Sequence, residues 1–185
     1  MIRIHFIVNP IAGRGHAPLT NEELEPYFIK GVHDLTIKAS EYKAHASILT
    51  MDSIAEKADI IVACGGDGTI NEVATCLIGT NIALGIVPMG SGNGLASNLK
   101  IPKNRRKALE IIRDKHEEHI DVGQINDRFF FSNTGVGFDA SLIKHYESSE
   151  KRTLLGYIRA CALTFRDIKT NDPLTIGIND ESPML

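Results

Sequence analysis

The chain has 185 residues, 43% of them hydrophobic, and a formal charge of −3. That is enough apolar material for one complete domain, or for one domain and part of another, which excludes disorder as the default state. The mildly acidic balance gives no global basic field, so nucleic acid is not an expected partner and any anion site has to be local.

In chain order, Ile2–Val8 reads as a strand, and without a basic stretch leading into a long apolar run it does not read as a signal peptide; cytoplasm is the expected compartment. A Gly/Pro-rich turn leads to an acidic helix over 22–30, a strand over 35–39 and a helix over 44–58. Residues 60–63 are continuously apolar, as in a strand buried on both faces. A helix over 70–78, a buried strand over 83–87, a short helix over 94–99 and a helix over 105–115 follow, the last with Ala108, Ile111 and Ile112 on its inner face. This alternation predicts an α/β fold, a mostly parallel sheet with helices on both faces.

The pattern changes near residue 118. Strand-like runs over 120–125 and 129–132 flank Asn126, Asp127 and Arg128, a hairpin signal. With only a helix over 153–168 and a strand over 174–178 to follow, the second unit cannot close a sandwich or barrel. The expected division is therefore an α/β domain over 1–118 and an incomplete β-rich domain over 119–185. The apolar stretch over 154–165 is interrupted by Arg159 and is too short to span a bilayer. Cys64, Cys76 and Cys161 are odd in number and set in apolar surroundings, which suits reduced core thiols.

Three of the strands end in turns of unusual chemistry: Asn9 to Gly15 (NPIAGRG), Gly65 to Thr69 (GGDGT) and Pro88 to Gly94 (PMGSGNG). One glycine turn between strand and helix is ordinary. Three of them would converge at the carboxyl ends of the strands, where open α/β sheets bind ligands. Glycines let backbone N–H groups approach an anion, and a helix starting just afterwards adds its positive end. Thr69, Ser91 and Asn93 supply side-chain donors at the same level. The natural guest is a polyphosphate. No G-x-x-x-x-G-K-[ST] is present, and the partial G-x-G-x-x-G that begins at Gly90 has Leu95 in place of its third glycine, so neither a P-loop nor a Rossmann dinucleotide site is matched. A carboxylate at Asp67, among phosphate-binding amides, is costly unless a divalent cation lies between them, which points to Mg²⁺ and ATP. Glu72, one helical turn on, is placed to hold the loop or the metal.

Gly65, Gly66, Asp67, Gly68 and Thr69 followed by Asn71 and Glu72, with Asn9, Pro10 and Gly13 upstream and Gly90, Ser91, Gly92 and Asn93 downstream, resemble the catalytic domain of diacylglycerol and sphingosine kinases. The likeness extends from residue 2 to about residue 168 and takes in Ser40, Glu41, His45 and Ala46. It also takes in the stretch from Asn133 to Asp139, which is similar to the family's lipid-side motif. GGDGT alone is shared with NAD kinases and phosphofructokinases; the combination is more specific. The resemblance implies a fold of the NAD kinase/diacylglycerol kinase type. It implies that residues 9–13, Ser40, residues 66–72 and Ser91 line the ATP site, that Asp67 stands by the transferred phosphate and its Mg²⁺, and that Asp139 lies towards the acceptor hydroxyl of a lipid.

Two departures bear on the acceptor and on competence. Many bacterial members carry Asn-Asp after a Gly-Thr in the third turn, whereas Ser91-Gly92-Asn93-Gly94 stands here, nearer the sphingosine and ceramide kinase version, which leaves the lipid open. Family members are longer and place the proposed general base late in the second domain, so the base is expected beyond residue 185. The reading is an ATP-dependent lipid kinase, with Asp67 as the one catalytic residue assigned, met in the cytoplasm or at the inner membrane face, with a homodimer as one assembly. The rivals are an NAD-kinase-like phosphotransferase and a nucleotide- or lipid-binding fragment without turnover. Arg152, Arg159 and Arg166 recur every seven residues and could face an anionic bilayer, although a solvated helix face is the simpler reading. His5 and His45 are assigned no role.

Overall fold

Four extended runs pair in parallel: β1 (Ile2–Val8), β2 (His33–Ala39), β3 (Ile60–Gly65) and β4 (Ala83–Pro88), in the order β2-β1-β3-β4. This computed structural model describes residues 1–13 and 19–135, with Ala140, Cys161, Thr164 and Gly177. The chain divides into two compact units, Met1–Asn133 and Thr134–Leu185, and the sheet belongs to the first. The helix expected over 153–168, the strand over 174–178 and the arginine row fall almost entirely outside the described residues.

The period of two along each strand sorts its side chains between two layers. Ile4, Phe6 and Val8 of β1, with Ile60, Val62 and Cys64 of β3, face a core closed by the short helix α1 (Asn21–Leu24) and by α5 (Arg105–Arg113), through Leu24, Ala108, Leu109 and Ile112. Ile7, Ile61 and Ala63 face the opposite core, closed by α2 (His45–Ala55), α3 (Asp67–Leu77) and α4 (Gly94–Asn98). Cover on both sides explains why all six residues of β3 are buried and why its sequence is apolar throughout. β2, at the rim of the described sheet, is only half-buried and keeps Asp34 and Lys38.

Where boundaries differ from expectation, local chemistry gives the reason. The acidic helix expected over 22–30 is one turn long, Asn21–Leu24, because Pro26 has no N–H to continue the ladder, although Glu25 itself keeps helical geometry. Thr20 caps its start by accepting from Glu23 N–H at 3.3 Å. α3 begins at Asp67, three residues before the apolar periodicity starts, so Asp67, Gly68 and Thr69 of the GGDGT motif lie in its first turn. The hairpin is shorter than expected, β5 (Gly123–Ile125) against β6 (Arg128–Phe130), antiparallel around Asn126 and Asp127 with Asn126 at φ 50.

His5 points into the α2–α3 layer from the middle of β1 and is only 4% exposed. Its Nδ1 has no hydrogen-bond partner; Glu56 Oε2 lies 3.5 Å away and is itself held by Lys38 Nζ at 2.8 Å. Burial, with help from Lys38 and Arg3 and against Glu56 and Asp34, lowers the imidazole's pKa below 6.5. The unfolded chain therefore takes up a proton that the folded state refuses, so stability is full above about pH 6.5 and falls as the pH drops towards the lowered folded value. Urea midpoints measured from about pH 7 down to about pH 5 should fall more steeply for the parent than for His5→Phe, which removes the titration.

Candidate functional site

From β1 the chain first adds β2 on one side and later β3 on the other, so the winding direction reverses between β1 and β3. In open α/β sheets such a switch point leaves a crevice at the carboxyl ends of its two strands. All four strands finish at one level: Val8 pairs with Ala39 and with Cys64, and Gly65 pairs with Pro88. Asn9 spans the crevice. Its amide donates to Cys64 O at 2.9 Å, its Oδ1 accepts from Ile11 N–H at 3.1 Å, and its Nδ2 donates to Thr69 Oγ1 at 3.2 Å. Pro10 follows on the exposed surface, and Gly13, at φ 72, takes a backbone conformation that favours glycine.

The β3 and β4 turns meet backbone to backbone. A Cβ on Gly90 would stand 2.6 Å from Gly66 Cα, so the two chains touch at a place where only glycine fits. Asn93, 1% exposed and at φ 64, closes the β4 turn on itself: its Oδ1 accepts from Gly90 N–H at 3.0 Å and its Nδ2 donates to Gly90 O at 2.6 Å. Asp67 then ties the two turns together. Its Oδ2 accepts from Asn93 N–H at 2.8 Å and its Oδ1 from Gly94 N–H at 2.6 Å, so one carboxylate at the start of α3 satisfies two amides at the start of α4.

The other residues singled out in the sequence distribute around this frame. Ser40 directly follows β2 and is buried, with its amide on Val8 O at 2.8 Å. Glu72 Oε1 accepts from Ala44 N–H at 3.2 Å, which fastens the turn before α2 to α3. Asn71 Nδ2 reaches the hairpin instead, donating to Phe129 O at 3.3 Å. With Asp67, Gly94 and Ser132 it borders a cleft of about 190 Å³. Ser91 is exposed, and its carbonyl accepts from Lys103 Nζ at 3.4 Å. Asp139 lies outside the described residues. The sequence reading passed over the pairing of Tyr42 with His45, whose rings stack 4.4 Å apart. Their i, i+3 spacing was the available signal, but it marks a contact only once the intervening turn is known.

Gly66 caps α3 without a side chain, so the first-turn amides of that helix are left for a ligand. Gly68 stands in this first turn, exposed, with nothing within 4 Å of where a Cβ would be. Among the described residues no three His, Cys, Asp or Glu side chains gather as a metal cluster. Asp67 keeps unused lone pairs beyond its two amide bonds. A single carboxylate supplemented by phosphate oxygens and water suits Mg²⁺, which seldom takes an all-protein cage.

The family model for the diacylglycerol kinase catalytic domain matches residues 3–125. Diacylglycerol kinases of Staphylococcus aureus strains JH9 and Newman are each 29% identical to this chain over 159 residues, covering 83% of it and 49% of their own length. The chain thus spans about half the length of the curated relatives it matches. A crystal structure of a diacylglycerol kinase from Bacillus anthracis str. Sterne superposes with a TM-score of 0.57 at 28% identity, covering 69% of this chain and 47% of that one.

Two substitutions test the frame by thermal or urea unfolding. Asp67→Asn leaves one of the two amides facing an NH₂ group and should cost about 1–2 kcal/mol. Gly90→Ala drives a methyl into Gly66 and should cost about 1–3 kcal/mol. Unchanged midpoints for both would mean that the two turns do not hold each other.

Proposed function

This chain belongs to the diacylglycerol kinase catalytic-domain family, and from that premise we propose that it supplies the nucleotide side of an ATP-dependent lipid kinase, one that transfers the γ-phosphate to a lipid hydroxyl. The observation that carries the reading is Gly68. An exposed helical position with room for a Cβ is served better by alanine than by glycine, by about 0.5–1 kcal/mol. Nothing among the described residues requires glycine there. The space beside the uncapped amides of α3 is what a phosphate needs to reach them.

In this reading the amides of residues 66–69 and the side chains of Asn9, Thr69 and Ser91 hold the phosphates. Residues 9–13 and Ser40 border the rest of the nucleotide. Asp67 would hold Mg²⁺ through its unused lone pairs, and the bound ion would spread the negative charge that develops on the transferring group. The chain's own contribution is positioning: the carboxylate keeps the β3 and β4 turns at a fixed separation, so the phosphates meet a preformed cradle. Asp139 is assigned to the acceptor side. The names of the relatives support a lipid acceptor, which would be met at a membrane surface, where such lipids reside.

Calorimetry with ATP, with and without Mg²⁺, tests the reading on the parent and on Gly68→Ala. The parent should bind in a metal-dependent way, and Gly68→Ala should fold at least as stably yet bind about tenfold or more weakly, a loss of about 1.4 kcal/mol upward. A folded parent that binds no nucleotide, or a Gly68→Ala variant that binds as the parent does, overturns the assignment.

A further inference from the structure

The turn between β2 and α2 carries an aromatic feature that a phosphate cradle does not use. The rings of Tyr42 and His45 stack with centroids 4.4 Å apart and planes 3° from parallel. His45 Nδ1 accepts from Glu41 N–H at 3.1 Å, which fixes the imidazole. Ala44 sits at φ 67, in the left-handed region, with its amide on Glu72 Oε1 at 3.2 Å. A non-glycine residue keeps that conformation where its surroundings determine it. The turn is thus held in one shape by α3, and the shape presents Tyr42. That side chain adds little to the core, since the residue is 59% exposed. One face of its ring lies on His45, and no other ring among the described residues stacks on it.

The location matters as much as the geometry. The turn follows Ser40 at the carboxyl end of β2, and Ser40 is bonded to the end of β1. Glu72, which anchors the turn, lies on α3 one helical turn, about 5.4 Å, beyond Gly68. An exposed, prepositioned aromatic ring therefore stands beside the anion cradle, with one helix setting the spacing between them.

We propose that the outer face of Tyr42 stacks on the nucleobase of the nucleoside triphosphate whose phosphates lie at residues 66–69, with His45 as the support behind the ring. The proposal rests on the nucleotide reading given above and deepens it. Stacking suits the site because every base presents a π-face to an aromatic platform, and because a phenol already backed by a second ring loses little freedom on binding. The platform distinguishes a nucleotide from a bare polyphosphate, which the cradle alone does not.

The test uses the full 185-residue chain and two probes with Mg²⁺ present, ATP and inorganic tripolyphosphate. Tyr42→Ala should weaken ATP by about thirtyfold, the middle of the range for one aromatic stack, and leave tripolyphosphate unchanged. Tyr42→Phe should bind both as the parent does. The chain has no tryptophan, so Tyr42→Trp introduces a sole indole whose fluorescence ATP should quench and tripolyphosphate should not. Parent-like ATP affinity in Tyr42→Ala, or an equal loss for both probes, overturns the stacking and leaves the phosphate site standing. A folded parent that binds neither probe overturns the nucleotide reading and this proposal with it.

Discussion

The carboxylate of Asp67 is the constraint on which the shape of the site depends. It lies at the start of α3, where the helix dipole favours a negative charge, and it accepts from the backbone amides of Asn93 and Gly94 at the start of α4. Those amides stand in the turn after the neighbouring strand, so a single side chain locks the carboxyl ends of β3 and β4 together. The lock works because Gly66 and Gly90 let the two backbones touch, and because Asn93, left-handed and buried, folds the β4 turn onto Gly90. Asn9 ties the β1 turn to the same helix through Thr69, and Glu72 ties in the β2 turn through Ala44. Each of the four strand ends is thereby referred to α3.

This arrangement changes what Asp67 means. Residue type and position alone make it a candidate for metal and phosphate chemistry, and the same atoms are structural anchors. Removing the carboxylate leaves two amides at the start of a short helix without their acceptor, so the turn that carries Ser91 would shift as well. Loss of function on substitution at Asp67 therefore does not separate a metal ligand from a spacer. Gly68 probes the phosphate site without that ambiguity, because a Cβ there meets nothing within 4 Å and leaves the Asp67 bonds in place.

What the sequence makes legible follows from the range of the forces involved. Strand positions, the two-faced sheet and the convergence of glycine turns are written in local patterns: β-branched runs, the 3.6-residue periodicity of α5, and glycine clusters at strand ends. Two boundary misses are local as well. Pro26 was present to stop the helix at Leu24, and the start of α3 was hidden because Gly66, Gly68 and Thr69 read as turn residues. The contacts that organise the site are of another kind. Asp67 meets amides 26 and 27 residues away, and Asn9 meets Thr69 across 60 residues. No spacing rule links such pairs; the order of the strands does. The role of Ala44 is equally illegible, since alanine carries no signal for a left-handed turn and the acceptor that rewards it is on another helix.

The charge balance of the cradle supplies a last constraint. The three turns, residues 9–15, 65–69 and 88–94, contain a single basic residue, Arg14, and a single carboxylate, Asp67. Lys103 touches this region through the Ser91 carbonyl, where it neutralises no anion directly. Backbone dipoles offer partial charges only, about half an elementary charge at a helix start. A triphosphate placed there brings several full negative charges towards Asp67. A divalent cation removes the conflict: it cancels phosphate charge and turns the carboxylate from a repelling group into a ligand. On the proposed function, a site of this composition would favour a metal–phosphate complex over the free anion, because Asp67 is paired with glycine amides.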